Sequence, residues 1–382
     1  MRTPCHKTSV GCHALARVSM RASGLSTPNV HECGRVQRST KIPRLRFGLV
    51  AASAICAFAL SGCARPSAEM LPHATDDAGE HASAELTAVT LQLNWFPEAE
   101  HGGYYAALVH GYYREQGLDV EIVPGGPDSP VVQRVARGAV DFGIANADNL
   151  LFGRAQQAPV VALFAPLQES PRCILVHESS KIQSFDDLRD VTLAVSASNA
   201  FAQYLRYKLP LKGVKVVPYS GNVAQFLIDP DLAQQGYVFS EPFVARKKGG
   251  DPRVLMVSKL GYNPYTSVLF TSDALLADRS ELVEKMVAAS AQGWKQYLES
   301  PEQANAYIHR VNPQMDLDIL AYGAETLVPL VLDETAKREG IGTMSPGRWQ
   351  QLADQLVESG QLKPERIDVS GTFTTKYVDG DE

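Results

Sequence analysis

Cysteine is scarce in this chain and unevenly placed. Four of the six cysteines among the 382 residues, Cys5, Cys12, Cys33 and Cys56, precede residue 60, which leaves Cys63 and Cys173. No CxxC and no Cys/His cluster with zinc spacing remains, so no metal centre is expected. Cys173 stands in the apolar run Cys173-Ile174-Leu175-Val176 and reads as a small buried hydrophobe on a strand. Also missing are GxGxxG, GxxxxGK, HExxH and GxSxG, and no pair of carboxylates is spaced specifically enough to name as an acid–base couple. These absences remove dinucleotide-binding, P-loop, zincin and serine-hydrolase readings.

Positive charge is also in short supply. The chain has 36 Lys and Arg against 42 Asp and Glu, a net charge of −6. Nine of those cations and a single acid, Glu32, fall within residues 1–62, so this segment carries +8 and the remainder −14. Such a balance argues against a nucleic-acid partner, which would want a basic face.

Long apolar runs are lacking as well. The uncharged run Phe47 to Leu60 is about 14 residues, short of the ~20 that span a bilayer as a helix. It follows Arg44 and Arg46 and ends in Leu60-Ser61-Gly62-Cys63. A basic flank, an apolar stretch and a small-residue exit are the parts of an export signal. The final four residues resemble a bacterial lipobox, whose cysteine is acylated. The expectation is therefore a signal peptide within residues 1–62, preceded by an extension, and a lipid-anchored protein beginning at Cys63 outside the cytoplasm. Residues 63–87, rich in Ala, Ser, Pro, Asp and Glu, read as a solvated linker.

From residue 88 onward the chain has the length for two lobes with separate cores. Val89-Thr90-Leu91-Gln92-Leu93 alternates as a strand, Tyr104 to Gln116 is helical up to the C-capping Gly117, and Leu118 to Val123 alternates again. Ser129 and Pro130 read as N-cap and first residue of the next helix. Val140 to Ile144, Val160 to Phe164, Cys173 to Val176, Thr192 to Val195, Val214 to Val217 and Gln235 to Phe239 come next as strands. Ser184 opens a capped turn, and a helix runs from about Ala200 to Lys208. Beyond Val268-Leu269-Phe270 the pattern is almost wholly helical, in segments 281–300, 301–311, 316–330 and 346–359. A βαβαβ rhythm of this kind means a parallel sheet covered by helices.

The segment Leu93-Asn94-Trp95-Phe96-Pro97-Glu98-Ala99-Glu100-His101-Gly102-Gly103-Tyr104-Tyr105, with Gly111 to Val120 behind it, resembles the opening of a family of ABC-importer substrate-binding proteins. That family covers aliphatic-sulfonate binders, thiamine-pyrimidine-precursor binders and thiamine pyrimidine synthase. Val140 to Ala145 and Gly236 to Phe243 match later landmarks. The resemblance implies an α/β, two-lobe, periplasmic-binding-protein-like fold of type II with the ligand in the inter-lobe cleft. It implies lobes formed by 88–180 plus 265–382 and by 181–264. It also implies a membrane permease and its ATPase as partners, and no cofactor. The synthase holds pyridoxal phosphate on a lysine, with a histidine four residues on and a Cys-rich motif elsewhere. Here Ala145 and Asn149 take the first two positions, and no Cys lies near Gly261 to Thr266. An imine needs an amine, so the chain is expected not to be an enzyme.

Ligands of such folds sit at strand C-termini. Asn94 and Trp95 end the first strand there, Asn94 to hydrogen-bond a heterocycle and Trp95, with Phe96, to stack on it; the alternative is that Trp95 caps the lobe core. His101 precedes Gly102-Gly103, where a ligand could approach backbone closely, the alternative being a plain surface histidine. Asn146, Asp148 and Asn149 form a polar rim after a strand, one of them accounted for by helix capping. Ser196, Ser198 and Asn199 precede a helix whose N-terminus favours an anionic group. Glu241 suits an aminopyrimidine edge, the alternative being a surface or hinge carboxylate. Tyr262, Tyr219 and Tyr265 are further aromatic candidates. The expected function is capture of a small heterocycle, such as a thiamine pyrimidine precursor, by hinge closure. A sulfonate or flavin binder, a synthase-like enzyme and a sensor stand as alternatives.

Overall fold

The computed structural model describes residues 85–127 and 129–378. The export signal, Cys63, the linker up to residue 84 and Asp128 lie outside the described residues. Among the described residues, ten strands form two five-stranded sheets.

The first sheet has the order β2-β1-β3-β10-β4, with β1 at Thr87–Gln92, β2 at Leu118–Val123, β3 at Phe142–Ala145, β4 at Val160–Phe164 and β10 at Val268–Ser272. Sequence pattern tracks position. Edge strand β2 alternates, with Leu118 and Val120 buried and Asp119 and Glu121 exposed. The interior strands β3 and β10 are buried at every residue, as strands covered on both faces are. Strand β4 is also fully buried because the C-terminal segment closes its free edge: the Ala162 N–H donates to the Thr372 carbonyl at 2.8 Å and the Thr374 N–H to the Ala162 carbonyl at 3.0 Å.

The second sheet has the order β7-β6-β8-β5-β9, with β5 at Arg172–His177, β6 at Thr192–Ala194, β7 at Lys215–Val217, β8 at Leu232–Tyr237 and β9 at Pro252–Met256. Each sheet thus has three parallel strands, then one antiparallel strand taken out of chain order and a last strand pairing with it. In the first sheet that strand is β10 and in the second it is β5. Cys173 is fully buried on β5.

The chain passes to the second sheet between β4 and β5 and returns between β9 and β10. The crossing expected near residue 180 therefore falls before Arg172 instead. An apolar strand such as Cys173 to Val176 announces burial, not which sheet it joins. Strand β9, opened by Pro252 at a sheet edge, was not foreseen. The two crossings run side by side. Leu167 bridges Thr266, and the Ser170 N–H donates to Asn263 Oδ1 at 2.7 Å. Arg348, from the helix Pro346–Glu358, donates twice to the Asn263 carbonyl at 3.1 and 3.0 Å, its guanidinium 3.9 Å from the Tyr265 ring centroid.

The helical stretch expected over 104–116 is two helices, Gly102–Val109 and Tyr112–Glu115, broken at Gly111 with φ +84. The first packs on the long helix Ser280–Glu299 so closely that a Cβ on Gly102 would enter the Tyr297 ring and one on Gly103 the Trp294 ring. Those glycines serve helix packing, and the expected ligand approach to their backbone is corrected. Ser129 and Pro130 also shift: the helix starts at Val131, Pro130 stands at its N-cap, and no side chain caps it.

Candidate functional site

Parallel strands of one sheet end on the same side, so their C-terminal loops gather along one edge. An antiparallel strand contributes its beginning there instead. Arg172 opens β5 directly across from Tyr237, the last residue of β8. The same rule puts the loops after β1 and β3 along one edge of the first sheet and those after β6 and β8 along one edge of the second.

Between the lobes lies a cavity of about 160 Å³. Asn146, Asp148, Asn149, Ser198, Asn199 and Tyr262, six of the residues expected from sequence, line it. Ser170, Arg172, Phe201 and Tyr237 line it too and were not foreseen. The Arg172 guanidinium lies 4.1 Å from the Tyr237 ring centroid and 4.7 Å from that of Phe201, and its Nη2 donates to the Tyr237 hydroxyl at 2.9 Å. Asn146 is the N-cap residue of the helix Ala147–Ala155, but its side chain caps nothing. Its Nδ2 reaches the Tyr237 hydroxyl at 3.5 Å, and its Oδ1 is buried without a partner.

Asp148 is buried, with Oδ2 accepting from the Tyr262 hydroxyl at 2.9 Å and Oδ1 from the Asn149 N–H at 2.9 Å. Burial pushes the Asp148 carboxyl up against the opposing pull of these bonds and of Arg172. Tyr262 is buried and serves to hold Asp148. Ser198 and Asn199 are exposed before the helix Ala200–Lys208, and neither side chain caps it. Ser196 is held away from the cavity: its N–H donates to Gln235 Oε1 at 2.6 Å, and its Oγ accepts from Gln235 Nε2 at 3.3 Å.

The loop after β1 is an internally bonded unit. Asn94 Nδ2 donates to Glu100 Oε1 at 3.0 Å, and His101 Nε2 lies 2.9 Å from Asn94 Oδ1 and 3.2 Å from Glu100 Oε1. His101 Nδ1 accepts from the Glu98 N–H at 3.4 Å, so Nε2 carries the proton. His101 and Glu100 are fully buried. His101 therefore positions Asn94 and Glu100 with both ring nitrogens used inside the loop. Trp95 and Phe96, by contrast, are 36% and 48% exposed, edge to face at 5.4 Å. Trp95 thus presents part of its ring to solvent instead of lying wholly in the core.

From the second lobe, the Glu241 carboxylate accepts from the Tyr219 hydroxyl at 2.8 Å and from the Tyr237 N–H at 2.7 Å. Burial, and the carboxylate it serves, push the Tyr219 hydroxyl far up. Glu98 is buried nearby, and desolvation, with Glu100 and Glu241 adding to it, raises its carboxyl well above the usual range, opposed by Arg172. Sequence reading missed Arg172, which lines the cavity, and the buried acids Glu98 and Glu100 of the loop after β1. The signal for Arg172 was a lone cation at the mouth of an apolar strand; for the acids it was their place between Trp95 and His101. Among the described residues no cluster of His, Cys, Asp and Glu could hold a metal ion, and no helix is long and apolar enough to cross a membrane.

The lobes also touch beside the cleft. Phe239, in the turn after β8, is 1% exposed and packs into the apolar core beneath the first sheet. The helix Glu241–Lys247 faces the helix Leu317–Val331. Phe243 stacks on Tyr322 at 4.9 Å, the Tyr322 hydroxyl donates to the Val238 carbonyl at 3.3 Å, and Lys247 Nζ lies 2.6 Å from Asp318 Oδ2.

Comparison with known proteins gives the cleft its relatives. A sequence model of the family described as "NMT1/THI5 like" matches residues 98–304. Riboflavin-binding protein RibY of Chloroflexus aurantiacus is 25% identical over 337 residues, 84% of this chain and 95% of that protein. The formylaminopyrimidine-binding protein of Halalkalibacterium halodurans is 21% identical over 281 residues, 71% of this chain and 85% of its own. A 4-amino-5-hydroxymethyl-2-methylpyrimidine phosphate synthase of Legionella pneumophila is 26% identical over 246 residues, 61% of this chain and 76% of its own. Among solved structures, the periplasmic aliphatic sulphonate binding protein SsuA of Escherichia coli superposes with a TM-score of 0.59 at 16% identity, over 77% of this chain and 94% of that one. The two-lobe fold is that of the periplasmic binding proteins.

Proposed function

The chain belongs to the NMT1/THI5-like family, and from that premise we propose that it is the solute-binding component of an ABC importer, capturing a small flat heterocycle by closure of its two lobes. The observation that carries this reading is the cavity shared between Asn146 and Asp148 of one lobe and Arg172, Phe201 and Tyr237 of the other. A ligand touching both walls stabilises the closed form, and that form is what a permease and its ATPase would recognise. The exposed π-faces of Trp95 and Phe96 support a planar ligand. Relatives named for riboflavin and for a formylaminopyrimidine point to the same chemical class.

The rival reading is a synthase of the pyrimidine moiety, favoured by the Legionella relative. The residues here do not fit its cofactor: Ala145, where the resemblance places the lysine, ends β3 as a buried methyl group without an amine. Location outside the cytoplasm on an acyl anchor at Cys63 completes the proposal, supported by the sequence Leu60-Ser61-Gly62-Cys63.

A thermal-shift panel of 4-amino-5-hydroxymethyl-2-methylpyrimidine, riboflavin and ethanesulfonate tests the ligand class, because tight binding raises the unfolding midpoint by mass action. A shift with either heterocycle is expected. No shift with either one, or an aldimine absorbance and bound iron in the purified protein, would overturn the reading. Mass spectrometry of the mature amino terminus tests the anchor.

A further inference from the structure

The cavity between the lobes is richer in idle donors than in idle acceptors. Arg172 lines it and gives one side-chain hydrogen bond, from Nη2 to the Tyr237 hydroxyl. Its Nε and Nη1 have no acceptor among the described residues. The Tyr237 hydroxyl accepts from Arg172 at 2.9 Å and from Asn146 Nδ2 at 3.5 Å, and its own proton finds no acceptor among the described residues. The helix Ala200–Lys208 begins on the same wall, and no side chain caps its first N–H groups. Against these stands one acceptor in want of a donor, Asn146 Oδ1, which is buried with no partner. Asp148 supplies no second, since each of its oxygens already has a donor. The shared hydroxyl holds Asn146 of the first lobe beside Arg172 of the second, so one ligand edge meets both.

A cavity of about 160 Å³ is of the size that takes one benzene-sized ring, and Phe201 and Tyr237 supply aromatic walls. Resting on the heterocycle reading above, we infer that Asn146 and Arg172 are specificity-determining residues. With Tyr237 they select a ring edge on which an N–H stands between carbonyl oxygens, as in a pyrimidinedione or a flavin. The N–H serves Asn146 Oδ1, and the carbonyls accept from Arg172 and Tyr237. An oxyanion satisfies the arginine but brings no donor, which leaves the Asn146 oxygen buried and unpaired at a cost. The edge of an aminopyrimidine gives Asn146 its donor but offers the other wall one ring lone pair, where the imide offers two oxygens.

The test uses the whole purified protein, calorimetry at neutral pH and four probes. These are riboflavin, 3-methylriboflavin, in which a methyl group replaces the imide proton, 4-amino-5-hydroxymethyl-2-methylpyrimidine and ethanesulfonate. The wild-type protein is expected to bind riboflavin about tenfold or more tighter than the other two ring compounds and to give no heat with ethanesulfonate. Asn146→Leu, which keeps the shape and removes the acceptor, is expected to weaken riboflavin by about tenfold and to leave 3-methylriboflavin within about threefold. A merely structural role would weaken both flavins alike. Equal wild-type affinity for the two flavins, an aminopyrimidine bound as tightly as riboflavin, or equal loss of both flavins in Asn146→Leu overturns the inference and leaves heterocycle binding standing. Tight binding of ethanesulfonate overturns the inference too, and binding of no ring compound overturns the heterocycle reading as well. Should Asn146→Leu fail to fold, the wild-type preference and that of Asn146→Asp, which keeps an acceptor oxygen and is expected to keep the preference, decide.

Discussion

Arg172 and Tyr237 face each other across the antiparallel pair β5 and β8, the guanidinium 4.1 Å from the ring centroid and 2.9 Å from the hydroxyl. The pair sits where the second lobe meets the cleft, and the arginine is the cation acting on Glu98, Asp148 and Tyr219 alike. Arg172→Met keeps the stem and removes the charge. It is expected to weaken the preferred ligand by about tenfold or more, roughly 1.4 kcal/mol. Calorimetric titration of the variant checks this, and an affinity within about twofold of wild type would remove Arg172 from the site.

Trp95 offers its ring to solvent at the end of the first strand. Trp95→Ala is expected to cost the preferred heterocycle about 1 kcal/mol or more of binding free energy. Because the ring is 36% exposed, the unfolding midpoint of the empty protein should change little. Affinity and melting temperature measured together separate a stacking role from a packing one.

Gly103 leaves no room for a side chain, since its Cβ would enter the Trp294 ring. The indole is fully buried and edge-on to Tyr104 at 5.8 Å, so it has nowhere to retreat. Gly103→Ala is expected to destabilise the fold by about 1–3 kcal/mol through overpacking. Denaturant titration reads this as a lower midpoint with an unchanged slope.

Asp251 accepts from the Ser179 N–H and pairs with His177 Nδ1 at 2.7 Å, and these bonds hold its carboxyl down at about 2. An unfolded aspartate titrates at about 3.9, so the folded protein binds fewer protons at this site over the interval between the two values. The stabilisation is therefore whole above about pH 4 and is lost as the pH falls towards 2. Partial exposure of the carboxylate keeps the effect modest. Stability measured from neutral pH down to acid should fall less steeply for Asp251→Asn than for the wild-type chain, and parallel curves would contradict the assignment.

How much of this was legible in the sequence depended on whether a pattern names its partner. The alternation of Leu118 to Val123 and the unbroken apolar runs around Phe142 and Val160 announced their strands, because each depends on which faces are covered. Asn146, Asp148, Asn149, Ser198 and Asn199 were legible as cavity residues because they come directly after parallel strands. Arg172 escaped since it begins an antiparallel strand, whose start shares the edge where other strands finish. The strand itself was placed in the wrong lobe, its apolar pattern being equally at home in either. Gly102 and Gly103 carried a genuine signal of close approach, but the approaching object is the helix Ser280–Glu299, far away in the chain. The acids Glu98 and Glu100 had only their place between Trp95 and His101 to mark them, because a buried carboxyl and a solvated one look alike in one dimension.

One side chain constrains how this clamshell can move. Phe239 belongs by chain connection to one lobe and by packing to the other. Withdrawing it into water would cost about 2 kcal/mol of burial alone. Any wide parting that pulls it free starts with that debt, so the cheaper motion is a swivel that keeps the ring seated as its pivot. The cleft would then open about the phenylalanine, like a door hung on it.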